Sequence, residues 1–96
     1  MADTSEYRLF ETDEFLSKLD GLLGPRAAAI RAKLRSQVYL QIRTQPFHGA
    51  NIRKLRGFAA GAWRYRIGNY RIFYTVDQDD RVVSLLTIEH RKDAYR

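Results

Sequence analysis

Trp63-Arg64-Tyr65-Arg66-Ile67-Gly68-Asn69-Tyr70-Arg71-Ile72-Phe73-Tyr74 reads as two strands folded around a tight turn. Trp63, Tyr65 and Ile67 alternate with Arg64 and Arg66, and Tyr70, Ile72 and Tyr74 alternate with Arg71 and Phe73. That period of two marks strands with one buried face. Gly68-Asn69 is a two-residue hairpin signal, with glycine first as a type II′ turn prefers. A two-residue loop fixes the register. Ile67 faces Tyr70, Arg66 faces Arg71, Tyr65 faces Ile72, Arg64 faces Phe73 and Trp63 faces Tyr74. The aromatic and aliphatic set forms the core face. Arg64, Arg66, Arg71 and Phe73 share the other.

Downstream, Asp77–Asp80 reads as a polar turn and Val82–Ile88 as a third strand. That strand is apolar at most positions, which suits a central strand or one covered on both faces. Upstream, Phe47–Gly57 reads as a loop, with short helical interruptions allowed. Before Pro46 the period is helical. Ala27, Ile30, Leu34, Val38 and Ile42 fall on one face of a helix that Pro25 can open. Phe15, Leu16, Leu19, Leu22 and Leu23 fall on one face of an earlier helix, with Thr12 as N-cap, Asp13 and Glu14 in its first turn, and Gly24 at its end. Tyr7–Phe10 reads as a short strand, and residues 1–4 as a frayed terminus. The expected order is β-α-α-β-β-β. The fold class is α+β, a two-helix hairpin packed on a mostly antiparallel four-stranded sheet. Residues 1–96 read as a single domain.

Composition narrows the chemistry. The chain has no cysteine, which excludes a disulfide scaffold, a thiolate metal site and a thiol nucleophile. Two histidines make a zinc site unpromising, and no cofactor or metal is expected. Lys+Arg is 17 and Asp+Glu 11, a net charge of +6. Residues 51–96 hold 10 of those cations and 5 of the anions. The basic second half suits a polyanion, either nucleic acid or an acidic protein segment. No stretch has the length or apolarity of a membrane span or signal peptide, so a cytoplasmic protein without a membrane role is expected.

The hairpin carries the first chemical signal. Like charges directly opposite across strands cost up to ~1 kcal/mol. A sequence built only for stability would not set Arg66 opposite Arg71. A bound anion relieves that repulsion, and guanidinium forks suit phosphate. Phe73 among the arginines adds a surface on which a base can stack. The tail carries the second signal. Ile88 runs directly into His90 and Arg91, with Tyr95 four residues on. Beside the hairpin, His90 and Arg91 would emerge near the arginine patch. Histidine suits proton transfer near neutral pH. Each also has a bland role: surface arginines solvate a sheet, a strand-end histidine caps it, and a terminal tyrosine anchors a tail.

Taken together, Lys54-Leu55-Arg56-Gly57, the hairpin from Trp63 to Tyr74, and His90-Arg91-Lys92-Asp93-Ala94-Tyr95 resemble the RelE/ParE family of toxins from type II toxin–antitoxin pairs. The resemblance spans almost the whole chain. RelE-type members cut mRNA in the ribosomal A site without a metal, by attack of the ribose 2′-OH on the adjacent phosphate. The resemblance therefore implies a ribosome-dependent endoribonuclease that inhibits translation. Carried over by position, its catalytic residues are Arg64, Arg66, Arg71, Arg91 and Tyr95, with His90 as a spare acid–base candidate. Lys54, Arg56, Phe73 and Lys92 are implied as RNA-binding residues. Some members have lysine where Arg64 and Arg66 stand, and arginine is a poor proton shuttle. ParE-type members share the fold but inhibit DNA gyrase, which is the alternative. A nucleic-acid-binding module without catalysis is a third. The implied partners are a cognate acidic antitoxin together with the ribosome and mRNA, or gyrase in the alternative.

Overall fold

The computed structural model describes residues 6–22, 24–56 and 61–90. Residues 1–4, Leu23, Gly57, Arg91, Lys92 and Tyr95, all singled out above, lie outside the described residues. Five strands form one sheet: β1 (Arg8–Glu11), β2 (Ile52–Lys54), β3 (Ala62–Ile67), β4 (Tyr70–Asp77) and β5 (Val82–His90). Their spatial order is β1-β5-β4-β3-β2. β1 pairs with β5 in parallel, and the other pairings are antiparallel. The α+β class, the element order and the mostly antiparallel sheet are as expected. The four-stranded sheet is corrected to five strands. β2 lies inside the stretch expected to be a loop. It is three residues long, too short to show a period of its own, and its anchor is the buried Ile52 opposite Tyr65.

The hairpin register is the expected one at all five pairs. Gly68 has φ 54, the left-handed value that the first position of a type II′ turn requires. On β5 the register slips: Phe73 pairs with Thr87 but Tyr74 with Leu85, so Leu86 is an extra residue in a bulge. The bulge turns Val83, Leu85 and Ile88 all onto the core face, where none is more than 3% exposed. β5 is central, but only this face of it is fully buried.

α1 (Asp13–Asp20) begins where expected, with Thr12 Oγ1 accepting from the Phe15 N–H at 3.2 Å. It ends earlier than Gly24. The Gly21 N–H turns back to the Ser17 and Lys18 carbonyls, so Leu22 packs on the core from outside the helix. α2 (Gly24–Lys33) and α3 (Tyr39–Thr44) are joined without a break by a π-helical segment, Leu34–Val38. Ile30, Leu34, Val38 and Ile42 explain it. Their spacing of four overshoots an α-helical turn by ~40° at each step. The wider turn, with the Tyr39 N–H bonded to Leu34 O, absorbs the excess and keeps all four buried.

Phe15, Leu19 and this helical stripe cover Tyr65, Ile67, Ile72 and Tyr74 of the sheet. Two core tyrosines also tie helix to sheet. Tyr65 Oη donates to Gln41 Oε1 at 2.7 Å, and Tyr74 Oη to Pro46 O at 2.6 Å. Gly49 sits against the first of these, and a Cβ there would come within 2.1 Å of Gln41 Nε2. One face of the sheet is thus filled by the core.

Candidate functional site: an arginine grid on the outer sheet face

Strand alternation and register place the outer-face residues in two rows. The first runs Arg53 (β2), Arg64 (β3), Phe73 (β4) and Thr87 (β5). The second runs Arg66 (β3), Arg71 (β4) and Glu89 (β5). Two arginine pairs therefore stand directly opposed across strands, Arg53 with Arg64 and Arg66 with Arg71. Side chains so paired start with Cβ atoms only ~5 Å apart. The single carboxylate in these rows is Glu89, and it also accepts from Lys18 Nζ at 2.5 Å.

The four guanidinium groups are held differently. Arg53 and Arg66 are exposed. Arg64 is half-buried, with Nη1 donating to Asn51 O at 3.2 Å. The same carbonyl receives the Arg66 backbone N–H at 2.9 Å, which locks the β3 arginines to the end of the preceding loop. Arg71 is 5% exposed, the one buried charged residue of the described core. The sequence reading places Arg71 in the arginine patch, with solvation of the sheet as its bland role. Its burial instead makes it a fixed part of the floor, because a sunken charge must be paired and hydrogen-bonded. Phe73 is half-buried between Arg64 and Thr87 in register.

Two expected site residues stand elsewhere. His90 pairs with Tyr70 on the helix-side face, their rings edge to face at 5.1 Å between centroids. It is not beside Arg66 and Arg71. Lys54 alternates away from Arg53 and sits opposite Trp63, with Nζ 5.9 Å from the Trp63 ring centroid. Trp63 packs in turn on Phe47 at 5.1 Å and Phe47 on Tyr7 at 6.4 Å. Lys54 thus covers an aromatic cluster by cation–π contact. Arg56 is exposed beyond the end of β2. Arg53, by contrast, had not been singled out. Without β2 in the sheet, nothing in the run Asn51-Ile52-Arg53-Lys54 says which cation joins the patch.

The grid offers many donors, and Glu89 is the one carboxylate in its two rows. Arginine keeps its charge, so these residues can bind and stabilise anionic oxygens but cannot take a proton. Among the described residues, no group of three or more His, Cys, Asp or Glu side chains is placed to hold a metal ion. No helix among them is long and apolar enough to cross a membrane.

Comparison with known proteins agrees with this fold. The family model described as "ParE toxin of type II toxin-antitoxin system, parDE" matches residues 9–95. Toxin RelG of Mycobacterium tuberculosis is 40% identical over 42 residues, which covers 44% of this chain and 48% of RelG. The chain thus matches about half the length of that relative. Among solved structures, the RelBE2 toxin–antitoxin complex of Mycobacterium tuberculosis superposes with a TM-score of 0.71 at 26% identity, over 90% of this chain and 99% of that one. The YoeB/ParE toxin of Agrobacterium tumefaciens gives 0.70 at 19% identity, over 86% and 96% of the two chains.

Proposed function

Since the chain belongs to the RelE/ParE family of toxins from type II toxin–antitoxin systems, we propose that it is a ribosome-dependent mRNA endoribonuclease that cuts in the A site and stops translation. The observation that carries this reading is the Arg66–Arg71 pair, directly opposed on the outer sheet face beside Arg64 and Phe73, with Arg66 exposed and Arg71 sunken beneath it. Such a pair is unfavourable in itself, and an anion that bridges it relieves the repulsion. A scissile phosphodiester is that anion. Attack by the 2′-oxygen forms the O2′–P bond and breaks the P–O5′ bond, leaving a 2′,3′-cyclic phosphate and a 5′-OH. Charge builds on the phosphorane oxygens, where fixed guanidinium donors stabilise it most.

Arg71 is the pre-set donor and Arg66 the exposed one, with Arg91 completing the clamp. Proton transfer falls to Tyr95 in this reading, because His90 is on the other face and the arginines cannot accept a proton. The scissile bond's flanking base stacks on Phe73, and Arg56 and Lys92 hold the backbone beyond it. An acidic antitoxin that folds on binding is the partner that neutralises this basic face. Solved relatives in complex with antitoxins, such as RelBE2, support that partner.

The test is a reconstituted translation reaction with mRNA 5′ ends mapped by primer extension, with and without ribosomes. Cuts that need ribosomes and disappear in Arg66→Gln and Arg71→Ala are expected. Arg66 is exposed, so its variant answers even if Arg71→Ala fails to fold. Intact mRNA with active protein synthesis refutes the proposal. The second reading is ParE-type inhibition of DNA gyrase. It is favoured by the description of the family model and by a grid without a proton acceptor beyond Glu89. A gyrase supercoiling assay on the same preparation decides it.

A further inference from the structure

We propose that Arg53 and Arg64 form a second phosphate subsite, so that the grid holds two successive phosphates of one RNA strand. This rests on the endoribonuclease reading and adds to it a residue and a substrate span. The inference starts from β2. Once that strand pairs with β3, Arg53 stands opposite Arg64 as Arg66 stands opposite Arg71. One like-charge pair on a small sheet could be incidental. Two on the same face, in adjacent rows, describe a repeat.

The spacing of the repeat is set by the backbone. Arg64 and Arg66 are two residues apart on β3, which is ~7 Å along an extended strand. Successive phosphates of an extended single-stranded RNA recur at a similar interval. The two pairs are also offset sideways by one strand spacing of ~4.8 Å, Arg66–Arg71 spanning β3 and β4 and Arg53–Arg64 spanning β2 and β3, so their midpoints lie ~8 Å apart, a difference that the long arginine side chains close. A strand that places one phosphate on each pair therefore crosses β3 diagonally and leaves over the β2 edge. Arg53 is exposed and Arg66 is exposed, while their partners Arg64 and Arg71 are more buried. Each pair thus has one anchored and one reaching guanidinium, an arrangement suited to closing on a phosphate from two sides.

Arg53 is a positioning residue, since it holds the phosphate next to the cut and not the reacting one. Lys54 supplies the control. It is the adjacent residue, carries the same charge, and is directed to the opposite face over Trp63. A long-range field effect treats the two alike. A local subsite does not.

The experiment is single-turnover cleavage of mRNA on programmed ribosomes by the full chain, comparing wild type, Arg53→Gln and Lys54→Gln. A second mRNA set carries an uncharged methylphosphonate at the phosphate on one or the other side of the cut. Arg53→Gln should slow cleavage roughly tenfold, the effect of one charge-assisted hydrogen bond. Lys54→Gln should change it less than about twofold, matching a surface charge. One of the two methylphosphonates should slow the wild type by a similar factor and add nothing to Arg53→Gln. If Arg53→Gln and Lys54→Gln behave alike, or if the methylphosphonate effects multiply with Arg53→Gln, the subsite is refuted while the cleavage itself stands. If Arg53→Gln cuts normally but loses affinity for an acidic antitoxin peptide, the pair belongs to the antitoxin interface instead. If the wild type does not cut, both this inference and the proposed function fall.

Discussion

Arg66→Glu should make this protein more stable and less active. Arg66 is exposed and stands directly opposite Arg71, which is 5% exposed. A like-charge pair in that geometry costs up to ~1 kcal/mol, and an opposite-charge pair contributes about as much in the other direction. The full swing is therefore ~1–2 kcal/mol at low salt. Glu89, across from Arg71 on β5, already offsets part of the repulsion, and solvent at Arg66 screens more of it. A net gain of ~1 kcal/mol is the reasonable expectation. In a domain of this size that raises Tm by about 4–8 °C. Thermal unfolding followed by circular dichroism measures it, with Arg66→Gln expected about halfway. In roughly 1 M salt the Debye length falls to ~3 Å and most of the gain should vanish. Strand propensity cannot mimic the effect, since glutamate is not a favoured strand residue. A Tm that falls, or a rise that salt leaves untouched, would refute the claim that the pair is held against its own repulsion.

Three further outcomes follow from the packing. Gly49→Ala drives a Cβ into Gln41 Nε2 and displaces the acceptor of the buried Tyr65 hydroxyl; denaturant unfolding should show a loss of ~1–3 kcal/mol, and Gln41→Ala with Gly49→Ala together should cost little more than Gln41→Ala alone. Thr87 Oγ1 is buried with no hydrogen-bond partner among the described residues; Thr87→Val should leave stability unchanged or raise it by ~1 kcal/mol in urea melts, and a clear loss would reveal a partner. Burial pushes the Tyr39 and Tyr74 hydroxyls above their ordinary range, with the Glu11 carboxylate adding to the effect at Tyr39. A raised folded value means that stability is fully present below about pH 10 and lost as pH rises beyond it. Native-state titration at 295 nm should keep these two tyrosines protonated above the ordinary tyrosine range, and Tyr74→Phe should flatten the alkaline loss of stability.

The hairpin was legible because its period, its turn and its length agree with one another. Gly68-Asn69 admits one register, and every pair from Ile67–Tyr70 to Trp63–Tyr74 follows from it. Thr12 was legible for the same reason, a cap residue followed by acids and an apolar stripe. β2 was not. Three residues cannot display a period, and Ile52 joins the sheet through Tyr65, which is thirteen residues away. The π-helical segment was half legible, since a run of fours is still a helical face but fits an α-helix imperfectly. The first arginine pair was therefore visible in the sequence and the second was not, although both rest on the same rule of alternation.

His90 shows what alternation alone cannot reach. Val83 and Leu85 face the core, so an unbroken strand would next bury Thr87 and Glu89 and send Ile88 and His90 to the outer face. On that pattern His90 would join the arginines. It would also sink the Glu89 carboxylate into an apolar core and expose Ile88, which costs several kcal/mol on both counts. The bulge at Leu86 reverses the parity. Ile88 becomes buried at 3% exposure, Glu89 moves across from Arg71, and His90 turns to Tyr70 on the helix side. One extra residue thus sets a carboxylate across from Arg71 in register and, in the same step, removes the histidine from the grid. The sequence alone left both parities open, since an unbroken strand with Val82, Ser84, Leu86 and Ile88 inward also turns Glu89 outward; it is the joint burial of Val83, Leu85 and Ile88 that requires the bulge.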